Sequence, residues 1–254
     1  MTESANAQTA VVQRFFTENS QDYSSLFSAE KTGNGVLFRQ RLALAVELTS
    51  GVSGRLLDCA CGPGEITTAI LQSDRFSGAL LVDLSPKMLE MARERLAAAP
   101  PAKLKALEFR SSDIFEFSAR PPVEKFDLIL CLGLIAHTGR LDELLARMKA
   151  MLTPTGRILL QSTLLDHWGT RVVRACSQSR YRQRHGYSIS YFRERDILQS
   201  VTGAGLAVDR QCRFGAGLPF GDRLWAGANC QLEKKVGAKA ARHGAEALYL
   251  LKNA

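Results

Sequence analysis

The chain has 254 residues, 46% of them apolar and 23% charged, enough for one large α/β domain with a sizeable core and nothing that demands a second. Thirty-three Lys and Arg against 25 Asp and Glu leave a formal charge of +8, which suits a nucleic acid, an anionic small substrate or simply a soluble surface. No apolar run approaches the roughly 18–20 residues of a membrane span, and the first ten residues lack the basic start and apolar core of a secretory signal, so a cytoplasmic protein is expected.

Helices are expected over Val11–Asn19 and Gly35–Leu48, which make residues 1–50 a helical lid ahead of the first strand. Tyr23, Phe27, Arg39 and Arg41 are the residues of chemical interest there. Strands then alternate with helices: strands near 54–60, 78–84, 104–110, 125–132 and 156–163, helices near 64–73, 86–98, 140–152 and 193–204. Ser85 is placed to cap the helix at 86–98, and Pro86 suits its first position. Such alternation means a parallel sheet with helices on both faces. Residues 164–192 are too long for a simple connection and read as an inserted helical cap. Two more strands, 206–214 and 223–232, are expected as an antiparallel hairpin joined by the turn-rich Gly215–Gly221 link. That sets the core at 51–232 and leaves 233–254 as a basic tail ending in a helix packed through Leu248, Tyr249 and Leu250.

The chemistry concentrates in Leu56-Leu-Asp-Cys-Ala-Cys-Gly-Pro-Gly-Glu-Ile66 and, about twenty residues on, Leu80-Leu-Val-Asp-Leu-Ser-Pro86. Glycines at a strand end let a ligand approach backbone, the following helix start offers free N–H groups, and a carboxylate at the tip of the next strand can take two ribose hydroxyls. The turn is not Gly-x-Gly-x-x-Gly, because Thr67 stands three after Gly64, and Asp58 precedes Gly62 by four. A pyrophosphate would be repelled by that carboxylate, whereas a cationic sulfonium cofactor would not.

Leu57-Asp-Cys-Ala-Cys-Gly-Pro-Gly64 resembles the first motif of the class I S-adenosylmethionine-dependent methyltransferases, with Ala60 where that family more often has glycine. The resemblance runs through residues 50–165 and implies a Rossmann-like, seven-stranded, mostly parallel sheet of order 3-2-1-4-5-7-6 with strand 7 antiparallel, and S-adenosyl-L-methionine as cofactor. It implies that Asp83 binds the ribose, Met88 packs on adenine, and Asp113 and Ile114 lie near the adenine amino group. Cys61, Gly62, Gly64, Leu84, Ser112, Leu132 and Arg41 complete the implied cofactor-binding set. Asp58 either reaches the cofactor's amino group or caps a turn. Phe126–Gly133 is similar to that family's fourth strand and Leu152–Ile158 to its turn into the fifth. Tyr187–Ile197 is similar to a stretch of magnesium-protoporphyrin and other small-molecule O-methyltransferases.

The expected reaction is methylation of a hydroxyl or carboxylate on a small-molecule metabolite. His137, just past strand 4, is the candidate general base, with ordering of its loop as the alternative role; His167 and His185 are weaker candidates. Arg171, Arg174, Arg180, Arg182 and Arg184 could clamp an anionic or amphipathic substrate or be a solvated face, and Tyr181, Tyr187, Tyr191 and Phe192 interleave with them. RNA or DNA methylation is the alternative function, disfavoured because Cys131-Leu-Gly-Leu134 lacks an Asn/Asp-Pro-Pro-aromatic run. A catalytically silent cofactor-binding partner protein is the other. No metal is expected, since the six cysteines form no C-x-x-C pair and read as small hydrophobes. The sequence does not fix the oligomeric state; N-terminal helices of related enzymes often swap or pack between subunits, which leaves a homodimer open.

Overall fold

A computed structural model describes residues 3–21, 25, 32–102, 104–119, 124–215, 219–221, 227–233 and 243–254. Ahead of the first strand the described residues include the helices α1 (Glu3–Glu18) and α2 (Gly33–Leu48, capped by Thr32 Oγ1 accepting from Gly35 N). The alternating part follows as β1 (Gly54–Asp58), α3 (Glu65–Leu71), β2 (Phe76–Asp83), α4 (Pro86–Ala98), β3 (Ala106–Ser111), α5 (Ile114–Phe117), β4 (Phe126–Cys131), α6 (Leu134–Thr138), α7 (Leu141–Met151) and β5 (Leu152–Thr163). The chain continues as α8 (Trp168–His185), α9 (Glu194–Gly203), β6 (Leu206–Phe214) and β7 (Glu246–Asn253). Tyr23 and Phe27 lie outside the described residues, as does the basic run 234–242.

The seven strands form one sheet of order β3-β2-β1-β4-β5-β7-β6, with β7 antiparallel to both neighbours and every other adjacent pair parallel. Alternation along each strand divides the core. Leu56, Leu81, Leu128, Leu159 and Leu248 face α2, α3 and α4, while Leu57, Leu80, Ile129, Ile158 and Tyr249 face α5, α6, α7 and α9. Both faces are covered, which is why the inner strands read as continuous apolar runs rather than alternating ones.

The C-terminal part corrects the sequence reading. Residues 228–233 are helical rather than the end of a strand, 222–226 lie outside the described residues, and the seventh strand is formed by 246–253. The core therefore runs to Asn253, because 246–253 is a strand of the sheet and not a helix ending a tail. Ala247, Leu248, Tyr249, Leu250 and Leu251 are all buried because β7 sits between β5 and β6. A five-residue apolar run with no polar alternation suits a strand buried on both faces as well as a packed helix, and burial decides between them.

Strand order reverses between β1 and β4, and the C-terminal ends of the parallel strands open a crevice there. Asp58, Asp83, Ser111 and Cys131 are the last residues of β1, β2, β3 and β4, so each presents its following loop to that crevice.

Candidate functional site

The turn after β1 is tied to both neighbouring strands: Cys59 N donates to Leu130 O at 3.0 Å, and Cys61 N to Val82 O at 3.2 Å. Gly62 (φ 51°) and Gly64 (φ 77°) both take the left-handed conformation that favours glycine. Their surroundings differ. A Cβ on Gly64 would lie 2.9 Å from Ala92 Cβ, so this residue lets α4 pack against the start of α3, whereas a Cβ on Gly62 would meet nothing within 4 Å. Gly62 thus leaves open space at the wall of a cavity. Asp58 is buried and accepts from Thr67 Oγ1 and, at 3.3 Å, from Ala60 N; burial raises its pKa from 3.8 to about 6 against those two bonds.

At the tip of β2, Asp83 Oδ2 accepts from Gly62 N at 2.9 Å and Oδ1 from Ser85 N at 2.8 Å. Burial raises its pKa, opposed by those same hydrogen bonds. Ser85 caps α4 through Met88 N at 3.3 Å, which seats the buried Met88 beneath the crevice. Beyond β3, Asp113 caps the short α5 by accepting from Phe115 N at 2.7 Å. Beyond β4, Gly133 (φ 80°) turns the chain into α6, which carries His137.

These residues line one cavity of about 100 Å³: Gly62, Asp83, Leu84, Met88, Ser112, Asp113, Ile114, Leu132, Gly133 and His137, with Val12 and Phe16 of α1 opposite. Helix α1 is strapped over it by side-chain hydrogen bonds, Thr9 Oγ1 to Asp113 Oδ2 (3.2 Å), Gln13 Nε2 to Leu84 O (2.9 Å) and Gln8 Nε2 to His137 O (3.0 Å). The volume is below the roughly 300–1,000 Å³ of ordinary ligand sites, and Val12 and Phe16 of α1 form part of its wall. The donor set fits an adenosyl group: a carboxylate at ribose distance from a glycine turn, an apolar floor at Met88 and Ile114, and a second carboxylate at Asp113.

His137 stands at a junction, because it and Gly133 also line a second chamber of about 440 Å³. Its Nδ1 lies 3.2 Å from the Tyr187 hydroxyl, which is 2.7 Å from that of Tyr181, and the Phe16 ring packs edge-on at 5.0 Å. Burial lowers its pKa from 6.5 to about 4, so the imidazole is neutral at physiological pH. The chamber is walled by Leu37, Phe38, Tyr191, Phe214 and Phe220. Across its floor, Arg41 Nη1 donates to Gln161 Oε1 (3.1 Å), Gln161 Nε2 to Glu246 Oε2 (2.9 Å) and Thr163 Oγ1 to Glu246 Oε1 (2.8 Å). Burial raises the Glu246 pKa against those two bonds and the charge of Arg41. The charge of Arg41 also opposes the upward shifts that burial imposes on Asp58 and Glu65.

Of the residues singled out by sequence, the first cavity gathers Gly62, Asp83, Leu84, Met88, Ser112, Asp113, Ile114, Leu132 and His137. Asp58, Cys61 and Gly64 hold the turn without lining the cavity, and Arg41 belongs to the second chamber. His167 lines that chamber, while His185 packs on Phe15 and Tyr181 away from it. None of the described residues lining the chamber is an arginine of α8; Arg171, Arg174 and Arg182 line a separate groove. Sequence reasoning missed Val12, Phe16, Gln161 and Glu246. Gln161 and Glu246 are polar residues inside apolar strand runs, and that was the available signal.

Comparison with known proteins agrees with this architecture. A family model described as a methyltransferase domain matches residues 57–158. The ubiquinone biosynthesis O-methyltransferase of Rhodopseudomonas palustris (strain BisB5) is 28% identical over 176 residues, 68% of this chain and 65% of that protein. The trans-aconitate 2-methyltransferase of Paracidovorax citrulli is 32% identical over 120 residues, 46% and 42% of the two chains. The chain thus matches less than two thirds of the length of either curated relative. Among solved structures, the magnesium protoporphyrin IX methyltransferase of Synechocystis PCC 6803 with bound SAH superimposes with a TM-score of 0.68 at 14% identity, over 96% of this chain and 99% of that one, a likeness of fold.

Proposed function

We propose that this chain, which belongs to the class I S-adenosylmethionine-dependent methyltransferases, transfers a methyl group from S-adenosylmethionine to an oxygen of a small-molecule acceptor. The observation that carries the proposal is the junction: the cavity containing Gly62 and Asp83 and the aromatic-walled chamber share Gly133 and His137. A donor held in the first and an acceptor held in the second would meet there. Trans-aconitate and ubiquinone precursors, to which the relatives' names point, are both oxygen-bearing small molecules, and an acceptor of that size suits a chamber of about 440 Å³.

Asp83 would take the ribose hydroxyls while Gly62 N–H holds its carboxylate in place. Met88 and Ile114 would floor the adenine, Asp113 would accept from its amino group, and Arg41 would face the methionyl carboxylate. The bound sulfonium supplies an electrophilic methyl group. The chain's own task is alignment, and holding an acceptor oxygen in line with that methyl can contribute about 7–11 kcal/mol to the barrier reduction. For a hydroxyl acceptor, neutral His137 would take the hydroxyl proton at Nε2, in the tautomer whose Nδ1–H donates to the Tyr187 hydroxyl. A carboxylate acceptor needs no base.

The test is transfer of labelled methyl from S-adenosylmethionine to a panel of phenols, catechols and di- and tricarboxylates, with S-adenosylhomocysteine binding measured by calorimetry beside it. Label in an oxygen-linked product is expected. Label on nitrogen, or on added RNA alone, overturns the acceptor assignment; absence of S-adenosylhomocysteine binding overturns the cofactor site.

A further inference from the structure

Helix α8 carries five arginines and no acidic residue. Arg171, Arg174, Gln178 and Arg182 recur at intervals that place them along one stripe of the helix. Gly169, Thr170 and Val173, on another side, line the acceptor chamber. The arginine stripe instead forms one wall of a groove of about 750 Å³, closed from the following segment by Ser188 and Arg193 and containing Ser179.

The charge in this groove is not balanced from within. Its one carboxylate, Asp166, accepts from Glu194 N at 2.8 Å. Among the described residues, no carboxylate lies within ion-pair distance of Arg171, Arg174, Arg182 or Arg193, and Arg174 Nε donates to Gln178 Oε1 at 3.0 Å. Elsewhere on the molecule Arg95, Arg140, Arg147, Arg157 and Arg213 each meet a carboxylate. Arg171 and Arg174, like charges three residues apart on one helix, repel and disfavour it, and with Arg182 and Arg193 they line the groove as exposed side chains. Guanidinium forks match the oxygen geometry of phosphate and carboxylate, and a groove of about 750 Å³ leaves room for more than a single phosphate group.

We propose that this groove is a binding site for a phosphate-type polyanion, separate from the methyl-transfer site. The phosphate chemistry has two sources, a free diphosphate compound or the headgroups of an anionic lipid surface; Trp168 and Val172, 51% and 40% exposed on the adjoining stripe of α8, make the second source worth a separate arm.

The experiment titrates the full chain with inorganic pyrophosphate at constant ionic strength, and in parallel measures co-sedimentation with phosphatidylcholine vesicles with and without phosphatidylglycerol. The double variant Arg174→Glu/Arg182→Glu is compared with a charge-matched control away from the groove, Lys87→Glu/Arg93→Glu, with circular dichroism and S-adenosylhomocysteine affinity reporting that each is folded. Expected is saturable binding of pyrophosphate, or phosphatidylglycerol-dependent sedimentation, that weakens at least about tenfold in the groove variant and is kept by the control. Pyrophosphate binding assigns the free compound, and sedimentation without it assigns the headgroup. Binding of neither probe, or equal loss in groove variant and control, overturns the proposal.

Discussion

Gly62 donates its backbone N–H to Asp83 Oδ2 at 2.9 Å, so the turn after β1 is fastened to the tip of β2 by the carboxylate proposed to take the ribose. Asp83 is thereby held in one orientation before any ligand arrives. Asp83→Ala removes both the holding bond and the two ribose bonds. Because hydrogen bonds to charged groups contribute about 1.5–3 kcal/mol each, S-adenosylhomocysteine affinity should fall by at least about tenfold in calorimetry. Equal affinity for wild type and variant would remove Asp83 from the site.

The two glycines of the turn separate binding from stability. Gly64→Ala puts a methyl group 2.9 Å from Ala92 Cβ at a φ of 77°, and should cost about 1–3 kcal/mol, read as a lowered melting temperature. Gly62→Ala at φ 51° meets open space, so its structural cost is the left-handed backbone alone. Its methyl group instead intrudes on the ligand. The expected signature is a modest thermal change with a clear loss of S-adenosylhomocysteine affinity; the reverse ranking of the two variants would contradict this division.

Most of this was legible beforehand, and the reasons are specific. The glycine turn, Asp83 and the Ser85-Pro86 cap are local, since each is fixed by chemistry within a few residues of itself. The strand formed by 246–253 was missed because nothing local distinguishes a doubly buried strand from a packed helix. Its place between β5 and β6 depends on pairings about ninety and forty residues away. The same distance hid Glu246, whose hydrogen-bond partners Gln161 and Thr163 come from β5. The arginines of α8 were legible as a basic helix, but the face they occupy could be read only once Gly169 and Val173 were seen to turn toward the chamber.

Val12 and Phe16 of helix α1 line the cavity proposed for the cofactor, and Thr9, Gln13 and Gln8 bond to its rim, so α1 is expected to move as the ligand enters. Removing two straps in Thr9→Ala/Gln13→Ala gives up hydrogen bonds worth about 0.5–1.5 kcal/mol each. Association of S-adenosylhomocysteine should speed up by several-fold in stopped-flow measurement, since the closed free form is destabilised. Unchanged association rates would mean that the ligand enters without displacing α1.

His137 carries two predictions that share one cause, its burial between the cavities. As base, it should be dispensable for binding and needed for turnover of a hydroxyl acceptor: His137→Ala is expected to keep S-adenosylhomocysteine affinity and lose about 10²–10⁴-fold in kcat, while a carboxylate acceptor is spared. Tyr187→Phe, which removes the hydroxyl 3.2 Å from Nδ1, should lower kcat with little change in KM. A loss for both acceptor classes alike would make His137 a loop-ordering residue.

The same burial makes His137 a pH-dependent element of stability. Its pKa is about 4 in the folded chain against 6.5 for an unburied histidine. As pH falls from above 6.5, the unfolded chain takes up the proton first, so the unfolded state is favoured progressively until about pH 4, below which both forms are protonated and the loss is complete. A variant with no titrating group at this position, His137→Phe, lacks that contribution. The difference in unfolding free energy between wild type and His137→Phe should therefore shift against the wild type between about pH 6.5 and 4, by a few kcal/mol at most, and stay flat above pH 7. Chemical denaturation of both proteins across that range measures it; a difference that does not vary with pH would show that the imidazole is solvated within the cavity and that burial does not hold it neutral.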